Sequence, residues 1–196
     1  MKGFFITIDG IDGAGGSTQV KMLVNKLNEL GYSAIETKEP NPEGPIEPII
    51  RELIKEPLLS PELEALLFAA DRIYHVEKFI KPWLMEGKII VSDRYLESSI
   101  AYQTSQGLEE DWILLINRGV IKPHLSIILD INPEISLKRK IIKDRYENVE
   151  FLNKVRRKFL ERAHKMGYKI VNAEKSILEV HEEILKIVIE ALNKKL

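Results

Sequence analysis

The chain has 196 residues, 44% hydrophobic and 30% charged, enough for one sizeable core and close to the usual length of a single domain. Its 29 basic side chains nearly balance 30 acidic ones, which argues against a nucleic acid polymer or a membrane surface as partner, so any anion site must be local. There is no cysteine, which excludes disulfides and thiolate metal sites, and His75, His124, His164 and His181 are too widely spaced to suggest a zinc site.

The first apolar run, Phe4–Ile8, is too short for a signal segment or a membrane span and reads as a strand, so a soluble, cytoplasmic protein is expected. A helix follows over Ser17–Leu30, with Val20, Leu23, Val24, Leu27 and Leu30 on one face and Gly31 at its C-terminal stop. Ser33–Thr37 is the second strand, and Pro40 to Pro48 is expected to be a loop over the sheet's edge. Ser60 and Pro61 open a helix that runs to Glu86, stops at Gly87, and is kinked or divided at Pro82. Ile89–Ser92 is the third strand, followed by a helix near Asp111–Asn117 and a fourth strand at Leu125–Leu129. Helices over Glu134–Lys143 and Val149–Met166, a fifth strand at Lys169–Val171 and a helix over Ile177–Leu192 complete the chain. Strands of nearly unbroken apolar character, alternating with helices, predict one α/β domain over residues 1–196: a doubly wound, five-stranded parallel sheet flanked by helices. In such folds ligands bind outside the carboxyl ends of the strands, so chemistry is sought in the loops there.

After the first strand comes Gly10-Ile11-Asp12-Gly13-Ala14-Gly15-Gly16-Ser17-Thr18, which matches the phosphate-binding P-loop pattern at every defined position but one. Gly16 stands where the lysine belongs. Backbone amides and the positive end of the next helix can still cradle phosphates, and Ser17 can ligate Mg²⁺. What is missing is the ammonium that reaches the β- and γ-phosphates. An engineered substitution, a chain without catalysis, and an enzyme that brings another cation all remain open.

The third strand runs into Asp93 and Arg94. Arg94 could clamp an acceptor phosphate through two hydrogen bonds while Asp93 orients Mg²⁺ or the arginine; a buried structural Asp93–Arg94 pair is the alternative. Asp12, Lys38-Glu39-Pro40, Phe68 with Arg72, Asp93-Arg94-Tyr95 and Ser98-Ser99-Ile100-Ala101-Tyr102-Gln103 together resemble thymidylate kinase, over nearly the whole chain. The resemblance implies a P-loop nucleotide kinase that moves a phosphoryl group from ATP to dTMP with Mg²⁺, working as a homodimer. It implies that Asp12 meets the deoxyribose 3′-hydroxyl, Phe68 stacks on thymine, Arg72 bonds the base edge and Arg94 holds the dTMP phosphate. Glu39, Pro40, Ser98, Ser99, Tyr102 and Gln103 would line the same substrate site. Phe68 and Arg72, four apart, share a helix face and can serve one base, although the pair in isolation also reads as a core Phe beside a surface Arg. Either serine could instead be a helix cap.

Residues 137–148 concentrate positive charge and resemble the family's lid, although such a run alone is usually a solvated helix face. Arg139 and Arg145 are the candidates to neutralise the transferred phosphoryl group. Gly13 supports them, since it occupies a position where some members of the family carry an arginine and the others place their cations on the lid. No general base is needed, because the acceptor is already an oxyanion. A nucleotide-binding protein without useful turnover and a kinase for another nucleoside monophosphate remain the alternatives.

Overall fold

Strand β1 (Phe4–Gly10) is buried along its whole length, which is why its apolar residues are continuous. Successive side chains still alternate between faces. Phe4, Ile6 and Ile8 join a core with Ile89 and Val91, whereas Phe5 joins Ile90, Val76, Ile80, Leu84 and Tyr95 on the other side. The computed structural model describes residues 3–56, 59–139 and 148–195.

β1 pairs in parallel with β3 (Ile89–Asp93) on one side and β4 (Leu125–Asp130) on the other, with β2 (Ala34–Lys38) beyond β3 and β5 (Lys169–Asn172) beyond β4. The order β2-β3-β1-β4-β5 gives the five-stranded parallel sheet expected from the sequence. Helices α1 (Gly16–Glu29), α8 (Val149–Met166) and α9 (Ile177–Lys195) cover the first core through Leu23, Leu27, Val155, Phe159, Ile184 and Val188. No described helix is long and apolar enough to cross a membrane.

The long helix expected up to Glu86 is divided, as Pro82 demanded, but one turn early and without a sharp break. α3 (Pro61–His75) passes into a single π turn, Val76–Ile80, and then into α4 (Lys81–Met85), where Pro82 lies in the first turn. The Lys81 amide reaches back five residues to the Val76 carbonyl. The π turn therefore inserts one residue just where proline cannot donate, and keeps Val76, Ile80 and Leu84 on the buried face. Ser60 caps α3, its hydroxyl accepting from the Leu63 amide at 3.2 Å.

One expectation needs correction. The stretch expected as a loop to Pro48 already contains the start of α2 (Glu47–Leu53), with Pro48 in its first turn. The helix expected over Glu134–Lys143 is described as α7 (Pro133–Arg139), and residues 140–147, including Arg145, lie outside the described residues. Helices α5 (Leu96–Ser105) and α6 (Glu110–Ile116) follow β3.

Candidate active site

The loop between β1 and α1 carries two glycines at left-handed angles, Gly13 (φ 80°) and Gly15 (φ 97°). At Gly13 a side chain is also barred by space, because its Cβ would lie 2.4 Å from the Ser136 carbonyl oxygen of α7. Helix α7 thus rests directly on the phosphate loop. Gly16 opens α1, and a Cβ there would come within 2.5 Å of Asp93 Oδ1. The Ser17 hydroxyl donates to Asp93 Oδ2 in a very short contact. Gly10 through Thr18, with Asp93 and Arg94, line a cavity of about 270 Å³, and Arg94 is the one cation among its described lining residues.

Beside it lies a second cavity of about 360 Å³ lined by Asp12, Glu39, Pro40, Phe68, Arg72, Arg94, Ser98, Ser99, Tyr102 and Gln103, the whole acceptor side named from the sequence. Asp12 and Arg94 line both cavities. Arg94 has φ 71°, a left-handed conformation that costs a non-glycine residue about 1–2 kcal/mol. Its amide donates to the Ile8 carbonyl at 2.9 Å, and its Nη1 donates to the Gly10 carbonyl at 2.9 Å and to Ser98 Oγ at 3.2 Å. Its Nη2 donates to Asp12 Oδ1 at 2.5 Å, and its guanidinium lies 5.6 Å from the centre of the Tyr102 ring. Asp93 takes Ser17 and Arg94 takes Asp12, so the Asp93–Arg94 pair left open by the sequence is not what these side chains form. Burial, with Asp12 adding to it, pushes the Tyr102 hydroxyl up to about 12, so it stays protonated while accepting from the Asp12 amide at 3.1 Å.

Beneath this turn Asp9 Oδ1 accepts from the amides of Tyr95 at 3.0 Å and Ser98 at 3.1 Å, and from the Ser98 hydroxyl at 2.6 Å. The Ser98 hydroxyl is therefore a strut between Asp9 and Arg94. Ser99 is used differently, its Oγ accepting from Arg72 Nη2 at 2.8 Å.

The alternative of a core Phe beside a surface Arg is inverted. Phe68 is half-buried against the cavity, whereas Arg72 is only 1% exposed. Its Nε donates to Glu39 Oε2 at 2.7 Å, its Nη1 to Asn117 Oδ1 at 2.7 Å and its Nη2 also to the Tyr95 carbonyl at 3.3 Å. Glu39 precedes a cis peptide to Pro40.

The sequence reading missed Glu47 and Arg51 of α2 and Glu64 of α3, all of which line the same cavity. Arg51 Nε donates to Glu47 Oε1 at 2.6 Å, and this four-residue spacing of opposite charges was the available signal. Arg139 is exposed and lines neither cavity; its Nη1 donates to the Ala173 carbonyl at 2.9 Å, in the turn after β5. Arg156 of α8 grips the two oxygens of Asp130, at the end of β4, with its Nε and Nη2 at 2.6 and 2.9 Å.

Two buried carboxyls near the site are displaced. Burial raises Asp9 to about 6, against the opposing bonds from Ser98 and Tyr95, and burial, then the nearby Glu39, raises Asp71 to about 6. Both folded values exceed the unfolded ones, so the stability these groups contribute is present at low pH and lost as pH rises through about 6. Denaturant unfolding should therefore show a gain of about 1 kcal/mol per group between about pH 7 and about pH 5, and Asp71→Asn should remove its share.

A glycine loop on a helix N-terminus at the centre of a parallel sheet, with an arginine-lined second cavity alongside, defines a P-loop kinase that brings two phosphate-bearing ligands together. The thymidylate kinase family model matches residues 8–184. A probable thymidylate kinase of Thermococcus onnurineus is 42% identical over 97% of this chain and 100% of its own length. Those of Pyrococcus horikoshii and Pyrobaculum aerophilum are each 40% identical, over 96% and 94% of this chain and 97% and 95% of their own lengths. The chain belongs to the thymidylate kinase family.

Proposed function

We propose that ATP and dTMP meet at the seam of the two cavities and that the γ-phosphoryl group passes between them beside Arg94. The carrying observation is that Asp12 and Arg94 line both cavities, so one guanidinium can reach an acceptor phosphate and the phosphate being transferred. ATP phosphates lie on the amides of Gly10–Thr18. The dTMP phosphate lies on Arg94, its sugar near Asp12 and its base between Phe68, Arg72, Ser99 and Gln103. Glu39 and Pro40 close the floor, with Ser98 and Tyr102 holding Arg94.

Ser17 and Asp93 present adjacent hard oxygens at the mouth of the phosphate loop, and this donor set fits Mg²⁺, which takes one or two protein oxygens and completes its shell with water and phosphate. When bound, the ion neutralises phosphate charge. The loop's own residues supply hydrogen bonds but no ammonium, so Gly16 lowers the rate, and Arg139 and Arg145 are the lid cations available to offset it. Arg139 is held on the Ala173 carbonyl and would have to leave it to reach a phosphate.

A homodimer is supported by Leu63, Leu66 and Ile73, large apolar residues exposed on one face of α3. The absence of cysteine is compatible with a cytoplasmic setting. ADP release on adding dTMP to enzyme, ATP and Mg²⁺ tests the reaction; tight binding of both nucleotides without release would favour a nucleotide-binding protein.

A further inference from the structure

Below the base end of the acceptor cavity, Glu39, Asp71, Arg72 and His75 are each 5% exposed or less. Four ionisable side chains are rarely buried together unless each is held by the others. Here the bonds run in one line. Arg72 Nε donates to Glu39 Oε2 at 2.7 Å, His75 Nδ1 lies 3.2 Å from Glu39 Oε1, and His75 Nε2 lies 2.7 Å from Thr37 Oγ1. A carboxylate that takes an arginine on one oxygen accepts on the other, so Nδ1 donates to Glu39, while Nε2 and the Thr37 hydroxyl share the second hydrogen bond of the ring. Asp71, next to Arg72 on α3, fixes the segment carrying Glu39 by accepting the Asn41 amide at 2.8 Å.

The donors of Arg72 can be counted. A guanidinium has five N–H groups. Nε is spent on Glu39, both hydrogens of Nη2 on the Tyr95 carbonyl and Ser99, and one hydrogen of Nη1 on Asn117. One Nη1 hydrogen is left, on a side chain that lines the cavity.

We propose that His75 and Thr37 are positioning residues for base selection, acting through Glu39 to hold Arg72 so that its single uncommitted N–H meets the base edge. The proposal rests on dTMP occupying this cavity. A donor fixed there favours a base with a carbonyl at that edge over one with an exocyclic amine, because donor against donor leaves both unpaired in a dry site. The selection is thus thymine over cytosine.

The test compares kcat/KM for dTMP and dCMP in the intact enzyme and in Arg72→Lys, His75→Phe, His75→Asn and Thr37→Val. Arg72→Lys and His75→Phe should each lower the dTMP-to-dCMP ratio about tenfold, the worth of one charge-assisted hydrogen bond, through KM for the nucleoside monophosphate rather than KM for ATP. Thr37→Val should lower it less. His75→Asn, whose amide nitrogen replaces Nδ1, should restore most of the ratio. If Arg72→Lys lowers the ratio while His75→Phe leaves it unchanged, the relay is overturned and the base assignment stands. If Arg72→Lys leaves it unchanged, the base assignment itself falls. Rescue no better by His75→Asn than by His75→Phe would reduce the ring to packing and overturn the proposal. Should His75→Phe not fold, an unchanged ratio in folded Thr37→Val overturns it equally.

Discussion

Arg94→Ala is expected to weaken dTMP binding by about 10²–10³-fold, about 3–4 kcal/mol, in the range for truncating one partner of a hydrogen-bonded charge pair. Two losses combine. The phosphate dianion loses its cation, and the Asp12 carboxylate loses the guanidinium that lies 2.5 Å away, which adds to the negative charge of the same wall. ATP should suffer less, because its phosphates retain the loop amides. The left-handed backbone at residue 94 supplies a control for folding. Arg94→Gly relieves a strain that alanine keeps, so it should be about 1 kcal/mol more stable than Arg94→Ala and no better at binding dTMP. Titration calorimetry with thermal unfolding separates the two effects. Unchanged dTMP affinity in a folded Arg94→Ala protein would move the acceptor phosphate elsewhere.

Gly16→Lys is expected to raise turnover by about 10²–10³-fold, the usual worth of one preorganised contact to charge developing in the transition state. The geometry adds a condition. The new Cβ would meet Asp93 Oδ1 at 2.5 Å, so the carboxylate must swing away from Gly16 and loosen its contact with Ser17. That movement is small, because the clash is with the free end of a side chain and not with backbone. The ammonium then extends into the donor cavity, where Arg94 is otherwise the one cation among the described lining residues. Affinity for dTMP should hardly change, since residue 16 does not line the acceptor cavity. Turnover equal to or below that of the present chain would mean that another cation already fills the role. Combining Gly16→Lys with Arg139→Ala or Arg145→Ala then identifies it, because the true substitute matters less once lysine is present.

The sheet was legible because β1, β3 and β4 are buried on both faces and so carry unbroken apolar runs. The phosphate loop was legible because its pattern is local, eight consecutive residues with one exception. α2 was not, because it has only seven residues and opens with a proline inside a proline-rich stretch. Nor was the π turn, which is a matter of backbone register and leaves the helical pattern of apolar residues intact. The resemblance drew the acceptor residues together from four separate stretches of chain, but not the burial of Arg72. That depends on acceptors at positions 39, 95, 99 and 117, and no spacing rule links residues so far apart. The left-handed turn at Arg94 was equally hidden, since nothing in the residue type favours it.

The central claim is that this two-cavity site phosphorylates dTMP, and the most direct measurement is the initial rate of ADP release from ATP and Mg²⁺ across the common nucleoside monophosphates. The highest kcat/KM is expected with dTMP, a lower value with dUMP and much lower values with dCMP and the purine monophosphates. ADP release that is independent of dTMP, or faster with another monophosphate, would contradict it.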